Sequence, residues 1–121
     1  MTQSTELSKR TPEEIFAHHA QALGAEDLDA TELDYADSAY LITSSGVLQG
    51  KPAIRAFFAD VFQALPQAQW KVQTTYVEHI LFLEWAADSR LASISDGVDT
   101  LIFANGLIQI QTAHYTLVSK M

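Results

Sequence analysis

Residues 97–117 read GVDTLIFANGLIQIQTAHYTL, two β-prone runs joined by an Asn-Gly pair. Asn-Gly is a strong hairpin signal, because a tight turn between antiparallel strands needs positive φ angles that these two residues tolerate. Side chains alternate between the faces of a strand, so Asp99, Leu101 and Phe103 share one face of the first run. The hairpin therefore predicts an antiparallel sheet whose apolar face carries one acid.

The returning strand of this hairpin also alternates, with Ile108 and Ile110 opposing Gln109 and Gln111. A shift of one residue in register would reverse the face of every side chain on the strand. The sequence therefore leaves open whether His114, near its end, faces the core or the outside.

Other segments have the same strand-like character. Residues 68–80 and 81–89 are rich in β-branched and aromatic residues, which favour strands. With the hairpin they predict a four-stranded antiparallel meander. Residues 38–43 and 47–50 flank a Ser-Ser-Gly turn and predict one further, shorter pair of strands.

The first helix is predicted from Thr11 to Gly24. Thr11 can cap the helix, Pro12 suits the first helical position, and Glu14 completes a capping box. Glycine is a common residue just past the end of a helix, so Gly24 is a natural stop. Residues 1–10 are polar and are expected to form a disordered lead-in to a single domain over residues 11–121.

Two further helices are predicted in the first half of the chain. One covers about residues 27–35, and the other begins at the Lys-Pro pair at 51 and 52. The latter has a wide apolar stripe, which indicates that it packs on a large apolar surface. The stripe consists of Ile54, Phe57, Phe58, Val61, Phe62 and Leu65. Helices segregated from a mostly antiparallel sheet define an α+β domain.

Composition excludes several classes of function. The chain has 121 residues, 48% of them hydrophobic, which suits one domain with a sizeable core. Its net charge of −8 disfavours nucleic acid and anionic membrane surfaces as partners. The absence of cysteine excludes disulfides and thiolate chemistry and is compatible with a cytoplasmic location. No phosphate loop or zinc-binding motif is present, so the sequence predicts neither a cofactor nor a metal site.

Three segments resemble the nuclear transport factor 2-like superfamily, in its SnoaL-like and ketosteroid-isomerase-like branches. They are GVLQGKPAIRAFFADVF at 46–62, ALGAEDLDATELDYADSAYLI at 22–42, and the hairpin at 97–117. The resemblance covers about residues 11–118. It implies a curved sheet wrapped around three helices, a cone with an apolar cavity open at one end, and a homodimer formed through the outer face of the sheet.

The resemblance also implies candidate site residues. In the ketosteroid-isomerase-like branch, a first-helix Tyr and a late-strand acid donate hydrogen bonds to a developing oxyanion. These positions correspond here to His19, or His18 if the helix phase is different, and to Asp99. The proton-moving Asp of the first strand corresponds to a position near Thr43, which is not a carboxylate. This departure argues against ketosteroid isomerisation itself.

The epoxide-hydrolase and cyclase branches commonly carry an acid at the end of the last strand, where this chain has TAHYT. The remaining candidates for acid–base chemistry are therefore Asp99 with His19 or His114. A His beside an Asp is an effective proton-transfer pair, because the carboxylate fixes the tautomer and stabilises the imidazolium. The expected ligand-pocket residues are Phe16, Tyr40, Phe57, Phe58, Val61, Tyr76, Trp85, Leu101, Phe103 and Tyr115.

Each candidate has a structural alternative. Asp99 follows a glycine and could only cap a turn, and His19 could be a core histidine. An acidic cluster of a short helix is expected to be a solvated face; it comprises Asp27, Asp29, Glu32, Asp34 and Asp37. The sequence thus favours a protein that binds a small apolar ligand, with isomerase-, cyclase- or hydratase-like acid–base chemistry. The alternative is a non-catalytic ligand-binding or dimerisation module of the same fold.

Overall fold

The computed structural model describes residues 7–120. Within these residues the elements are, in chain order, α1 (Pro12–Gly24), α2 (Leu28–Leu33), β1 (Tyr35–Thr43), β2 (Gly46–Gln49), α3 (Lys51–Ala64), β3 (Gln69–Val77), β4 (Ile80–Asp88), β5 (Ala92–Ala104), β6 (Leu107–His114) and β7 (Val118–Ser119). Within residues 7–120, no helix combines the length and the apolar character needed to cross a membrane.

All seven strands form one curved sheet in the order β2-β1-β6-β5-β4-β3, with β7 paired to β5. The pairs are antiparallel except for β1 and β6, which run parallel. Strands β3 to β6 are neighbours in chain order, as expected of a meander. The prediction of an α+β fold, with three helices against a mostly antiparallel sheet, is confirmed.

The first helix begins as its sequence predicts. The Thr11 side chain accepts a hydrogen bond from the Glu14 backbone N–H (3.1 Å), and the Glu14 carboxylate accepts one from the Thr11 N–H (2.8 Å). This reciprocal cap fixes the phase of α1, so that Ile15, Phe16 and His19 are buried against the sheet. The histidine is thereby placed inside the domain.

Strand β5 is longer than the hairpin pattern indicates. It begins at Ala92, because Ser93 and Ile94 continue the pairing with β4 after a bulge. Its alternation is as predicted: Leu101 and Phe103 are 0% and 3% exposed, and Asp99 is 6% exposed on the same face. The acid therefore belongs to the interior of the sheet.

The N-terminal segment differs in part from the expected disordered lead-in. Residues 1–6 of that segment lie outside the described residues, whereas residues 7–10 lie against the hairpin between β5 and β6. The Arg10 guanidinium donates to the Gly106 carbonyl (2.9 Å) and to the Asp34 carboxylate (2.8 Å). A Cβ on Gly106 would lie 1.7 Å from the carbonyl oxygen of Leu7. A buried carboxylate such as Asp34 is stabilised by a cationic partner. Arg10 is that partner, and its two hydrogen bonds hold residues 7–10 against the hairpin.

Candidate functional site

A cavity of about 330 Å³ lies between the helices and the concave face of the sheet. This volume is near the lower end of the roughly 300–1,000 Å³ typical of small-molecule sites. Its polar side chains include His19, Asp99 and Gln111. Its apolar walls include Phe16, Ala20, Leu23, Phe57, Phe58, Val61, Trp70, Leu83, Trp85, Leu101, Ala113 and Tyr115.

Asp99 lies in the middle of β5, paired across the sheet with Leu83 and Ala113, so it does not cap the hairpin. Its Oδ1 accepts a hydrogen bond from Trp85 Nε1 and its Oδ2 accepts one from Gln111 Nε2, both 2.8 Å long. Burial raises the pKa of Asp99, and although these two donors and nearby His19 lower it, the net shift is upward. The acid is therefore easier to keep protonated than an exposed aspartate.

Two buried hydrogen bonds link Asp99, through Gln111, to Tyr35 on the first strand. Tyr35, fully buried at the start of β1, donates its hydroxyl proton to Gln111 Oε1. This bond orients the Gln111 amide so that its nitrogen donates to Asp99. Burial, together with the negative charges of Asp99 and Asp34, raises the pKa of Tyr35 well above its usual range, so the phenol stays a donor. The chain Tyr35–Gln111–Asp99 thus fixes the carboxyl group in the cavity wall.

His19 reaches the cavity from α1 and is 2% exposed. Its ring makes edge-to-face contacts with Tyr35 (5.7 Å between centroids) and Phe58 (5.8 Å), which hold its plane. Nδ1 lies 3.8 Å from Asp34 Oδ2, too far for a hydrogen bond, and has no hydrogen-bond partner among the described residues. The ring is therefore held by packing and has one edge directed at a carboxylate.

Asp34 is the centre of a second polar cluster, behind His19. It is fully buried where α2 ends and β1 begins, and it accepts from Arg10 Nη1 (2.8 Å) and from His18 Nδ1 (2.8 Å to each oxygen). Burial alone would raise its pKa, but the adjacent His19 ring and the hydrogen bonds from His18 and Arg10 outweigh burial and lower it. Asp34 is therefore a stable carboxylate at neutral pH.

Residues 16–110 match the family model of the SnoaL-like domain. The chain belongs to the SnoaL-like domain family. The resemblance to this branch of the nuclear transport factor 2-like superfamily, predicted from three short segments, is confirmed. No curated protein sequence matches the chain.

Solved structures share the SnoaL-like cone. The chain is similar to SalBIII, an epoxide hydrolase/cyclase-like enzyme of pyran ring formation in the polyether salinomycin, with a TM-score of 0.77 at 17% identity over 89% of this chain and 95% of that one. It is also similar to a SnoaL-like protein of unknown function from Burkholderia thailandensis E264, with a TM-score of 0.72 at 18% identity over 96% and 98% of the two chains. An NTF-2-like protein of unknown function from Burkholderia xenovorans LB400 gives 0.73 at 20% identity over 87% and 82%. At these identities the likeness establishes the fold alone.

The structure of this SnoaL-like domain places most of the expected pocket residues around the cavity. These are Phe16, Phe57, Phe58, Val61, Trp85, Leu101 and Tyr115. Three others lie elsewhere. Phe103 is in the buried core, Tyr76 packs half-buried against that core, and Tyr40 is exposed on β1, where its hydroxyl accepts from Gln49 (3.3 Å).

His114 lies on the outer face of β6, exposed and paired with Val98, so it does not join Asp99 in the cavity. The cause is a bulge: Ile102 pairs with Ile110 but Phe103 pairs with Ile108, which leaves Gln109 as an extra residue. The bulge reverses the alternation beyond it. Gln111 and Ala113 consequently face inward, and His114 faces out.

Two sequence expectations missed parts of the site. The acidic cluster was expected to be a solvated face, which is wrong for Asp34, although Asp29 and Glu32 do lie towards the surface, where they pair with Arg55 (2.7 and 2.8 Å). Gln111 was expected to oppose the apolar residues of its strand, yet it is 4% exposed in the interior. In residues 7–120 no group of three or more His, Asp or Glu side chains is arranged to hold a metal ion.

A second cavity, of about 360 Å³, opens beside the first. Phe57, Ala113, Tyr115 and Leu117 line both cavities, so the two are adjacent. The second is otherwise lined by the hairpin between β1 and β2, at residues 43–48. Thr43, the position near which the resemblance implies a proton-moving carboxylate, therefore lines this second cavity and not the first.

Proposed function

We propose that this SnoaL-like domain binds a small apolar molecule bearing one hydrogen-bond-accepting oxygen and catalyses proton transfer on it, as an isomerase-, cyclase- or hydratase-like enzyme without a cofactor. The observation that carries the proposal is the pair of buried titratable side chains, His19 and Asp99, on the wall of one apolar cavity. Buried titratable groups that line a pocket are candidates for acid–base roles.

Asp99 is suited to address the oxygen of the ligand. Its raised pKa favours the protonated form, and an O–H group in an apolar wall can donate to a carbonyl or hydroxyl oxygen. Trp85 and Gln111 hold the carboxyl group in position through neutral N–H donors. Negative charge that develops on the oxygen would therefore meet a fixed donor in a site of low polarity.

His19 is suited to move the proton. In the step we propose, a C–H bond next to a carbonyl breaks, its proton forms an N–H bond at Nε2 of neutral His19, and the electron pair moves to the oxygen. The Asp99 hydroxyl donates a hydrogen bond to that enolate oxygen. When the substrate is a β,γ-unsaturated ketone, the enolate is a dienolate. Return of the proton from His19 to its γ-carbon then moves the double bond into conjugation and restores both side chains, so atoms and charges balance.

The composition of the site supports this division of roles over ketosteroid isomerisation. Near Thr43 the first strand has no carboxylate that could serve as the base. His19 instead supplies a basic nitrogen from the helix side of the cavity. The epoxide hydrolase/cyclase-like activity of SalBIII, on a similar fold, supports ring-forming or ring-opening proton chemistry as the class of reaction.

Binding can be measured with the protein's own tryptophans. The chain has two, Trp70 and Trp85, and both line the cavity with ring centroids 5.6 Å apart. We expect small cyclic ketones and enones to change their fluorescence in a saturable way. The catalytic test incubates each compound that binds with the protein in D₂O and follows deuterium incorporation next to the carbonyl by NMR.

The expected result is exchange by the unmodified protein that falls by about 10²–10⁴-fold in Asp99→Asn and in His19→Gln, the range of a general acid or base. Matched controls are Asp96→Asn and His114→Gln, because both of these side chains are exposed outside the cavity. Equal loss in the controls would contradict the assignment. Saturable binding without exchange would support the alternative, a non-catalytic ligand-binding module, and absence of binding would exclude both.

We also infer a homodimer through the outer face of the sheet and a cytoplasmic location. Apolar side chains such as Phe82 and Val98 are exposed there, at 42% and 37%, which supports an interface. The lack of cysteine supports a reducing compartment. Sedimentation of the protein and of Phe82→Glu tests the dimer: an unmodified protein that sediments as a monomer contradicts it.

A further inference from the structure

His19 has an unusual relation to the polar cluster behind it. Its Nδ1 is buried, has no hydrogen-bond partner among the described residues, and lies 3.8 Å from Asp34 Oδ2. A buried nitrogen lone pair aimed at a carboxylate oxygen would be repelled, whereas an N–H would be attracted. The carboxylate therefore distinguishes between the two neutral tautomers of the ring.

We propose that Asp34 is the positioning residue of the site, keeping the proton of neutral His19 on Nδ1 so that Nε2 is the basic atom offered to the cavity. The inference rests on the proposed function, in which Nε2 of His19 is the base, and it names the residue that keeps this nitrogen unprotonated in the neutral ring. Asp34 does not touch the ligand; it acts through the imidazole. It also stabilises the imidazolium that forms when Nε2 takes a proton, in the way a carboxylate supports a histidine base.

The partners of Asp34 suit this role. Arg10 and His18 both donate to it at 2.8 Å and hold it as a fixed carboxylate in a position where no part of its side chain is exposed. The arginine balances its charge, so Asp34 can be buried as an ionised carboxylate beside His19. The tautomer of His19 is thus set by the negative charge of Asp34, which the positive charge of Arg10 balances.

Among residues 7–120, the other ring neighbours of His19 carry no carboxylate that could compete for this effect. Its neighbours on the remaining elements are the Tyr35 ring from β1 and the Phe58 ring from α3, at 5.7 and 5.8 Å between centroids. Asp99 on β5 lines the same cavity, but its two carboxyl oxygens accept from Trp85 and Gln111. His18, on the same helix, is directed to Asp34. Asp34 is the carboxylate that lies against Nδ1.

The test is ¹⁵N NMR of the full chain, which distinguishes a protonated from an unprotonated ring nitrogen. The chain has four histidines, and the signals of His19 are those that disappear in His19→Gln. We expect the Nδ1–H tautomer to dominate neutral His19 in the unmodified protein. In Asp34→Asn the ratio of Nδ1–H to Nε2–H should fall by at least about fivefold, because the charge that selects the tautomer is gone. An unchanged ratio would overturn the proposal.

A second variant keeps the proposal testable if Asp34→Asn does not fold. His18→Ala removes a donor from Asp34 at a half-exposed position, which leaves the carboxylate freer to attract Nδ1–H. The Nδ1–H fraction should therefore stay as high or rise, opposite to Asp34→Asn. A fall in His18→Ala would mean that the cluster only supports packing, and would overturn the positioning role. The tautomer ratio is measured without turnover, so the two proposals can fail separately. Absence of deuterium exchange would contradict the proposed function, whereas the tautomer ratio would still decide whether Asp34 positions the proton of His19.

Discussion

The indole ring of Trp85 lies over Gly97, its partner across β4 and β5, so closely that a Cβ on Gly97 would be 2.2 Å from Trp85 Cε2. No side chain fits between them. With the ring in this position, the indole N–H points at Asp99, which is two residues further along β5. The glycine is therefore part of the geometry that holds the acid.

Gly97→Ala should displace Trp85 and disturb the site. Because the ring must move or the strands must separate, we expect a loss of about 1–3 kcal/mol in the free energy of unfolding, the usual cost of overpacking. Urea unfolding measures the loss, and a changed tryptophan emission spectrum reports the displaced ring. Gly24→Ala is the matched control, since nothing lies within 4 Å of a Cβ there, and it should be neutral or slightly stabilising. Similar behaviour of the two variants would contradict the close contact.

Tyr35→Phe should weaken the hydrogen-bonded link to Asp99. It leaves the buried Oε1 of Gln111 without its donor, which costs about 1–3 kcal/mol of stability. Tyr40→Phe removes the same hydroxyl from an exposed position on the same strand and should change stability by less than about 0.5 kcal/mol. Thermal or urea unfolding of both variants makes the comparison. Equal effects would mean that the buried hydrogen bond contributes nothing.

Arg10→Met should destabilise the domain although residue 10 precedes the first helix. The buried Asp34 carboxylate would keep only its histidine partners, and breaking a buried pair in this way costs about 3 kcal/mol. Lys9→Met, at the exposed neighbouring position, removes the same kind of charge and should be nearly neutral. A loss no larger than that of the lysine variant would show that the arginine is dispensable.

Asp99 should make the protein less stable as the pH rises. Burial raises its pKa, so the folded protein keeps a proton that the unfolded chain has lost above the usual value of 3.8. The stabilisation that protonated Asp99 gives to the folded state is complete below about pH 4 and is lost as the pH rises through the pKa of Asp99 in the folded protein. In urea unfolding between about pH 4 and pH 7, the stability of the unmodified protein relative to Asp99→Asn should therefore decrease.

Asp96 provides the opposite case. The backbone N–H of Thr116 lowers the pKa of Asp96, so its contribution is present above the usual value of 3.8 and is lost as the pH falls. Relative to Asp96→Asn, the unmodified protein should therefore show no trend above about pH 4. A downward trend in this control would mean that the slope assigned to Asp99 arises elsewhere.

The inward direction of Asp99 could be predicted because strand alternation is a local property. Asp99, Leu101 and Phe103 share a face in any regular strand, and all three are buried. The capping box of α1 is local in the same sense. The fold class followed from such patterns, since each element carried its own signal.

The rest of the site depends on relations that no local pattern contains. The bulge at Gln109 is created by pairing with β5, and it alone decides that Gln111 faces the cavity and His114 does not. Asp34 belongs to an acidic segment that resembles a surface, and its partners Arg10 and His18 are 24 and 16 residues away. A useful signal was nevertheless present: Asp34 directly precedes strand β1, in a chain with two adjacent histidines on helix α1.

The parallel pairing of β1 with β6 has a consequence for how the protein comes into being. Strand β6 lies between β1 and β5, so the sheet has a gap at its centre until residues 107–114 have been made. The bond between Tyr35 and Gln111 spans 76 residues and cannot form earlier. Non-local pairings of this kind fold in roughly milliseconds to seconds, against synthesis at about 5–20 residues per second. The first half of the domain thus remains incomplete, with the apolar faces of its helices uncovered, until a strand that is made after β1 to β5 is in place.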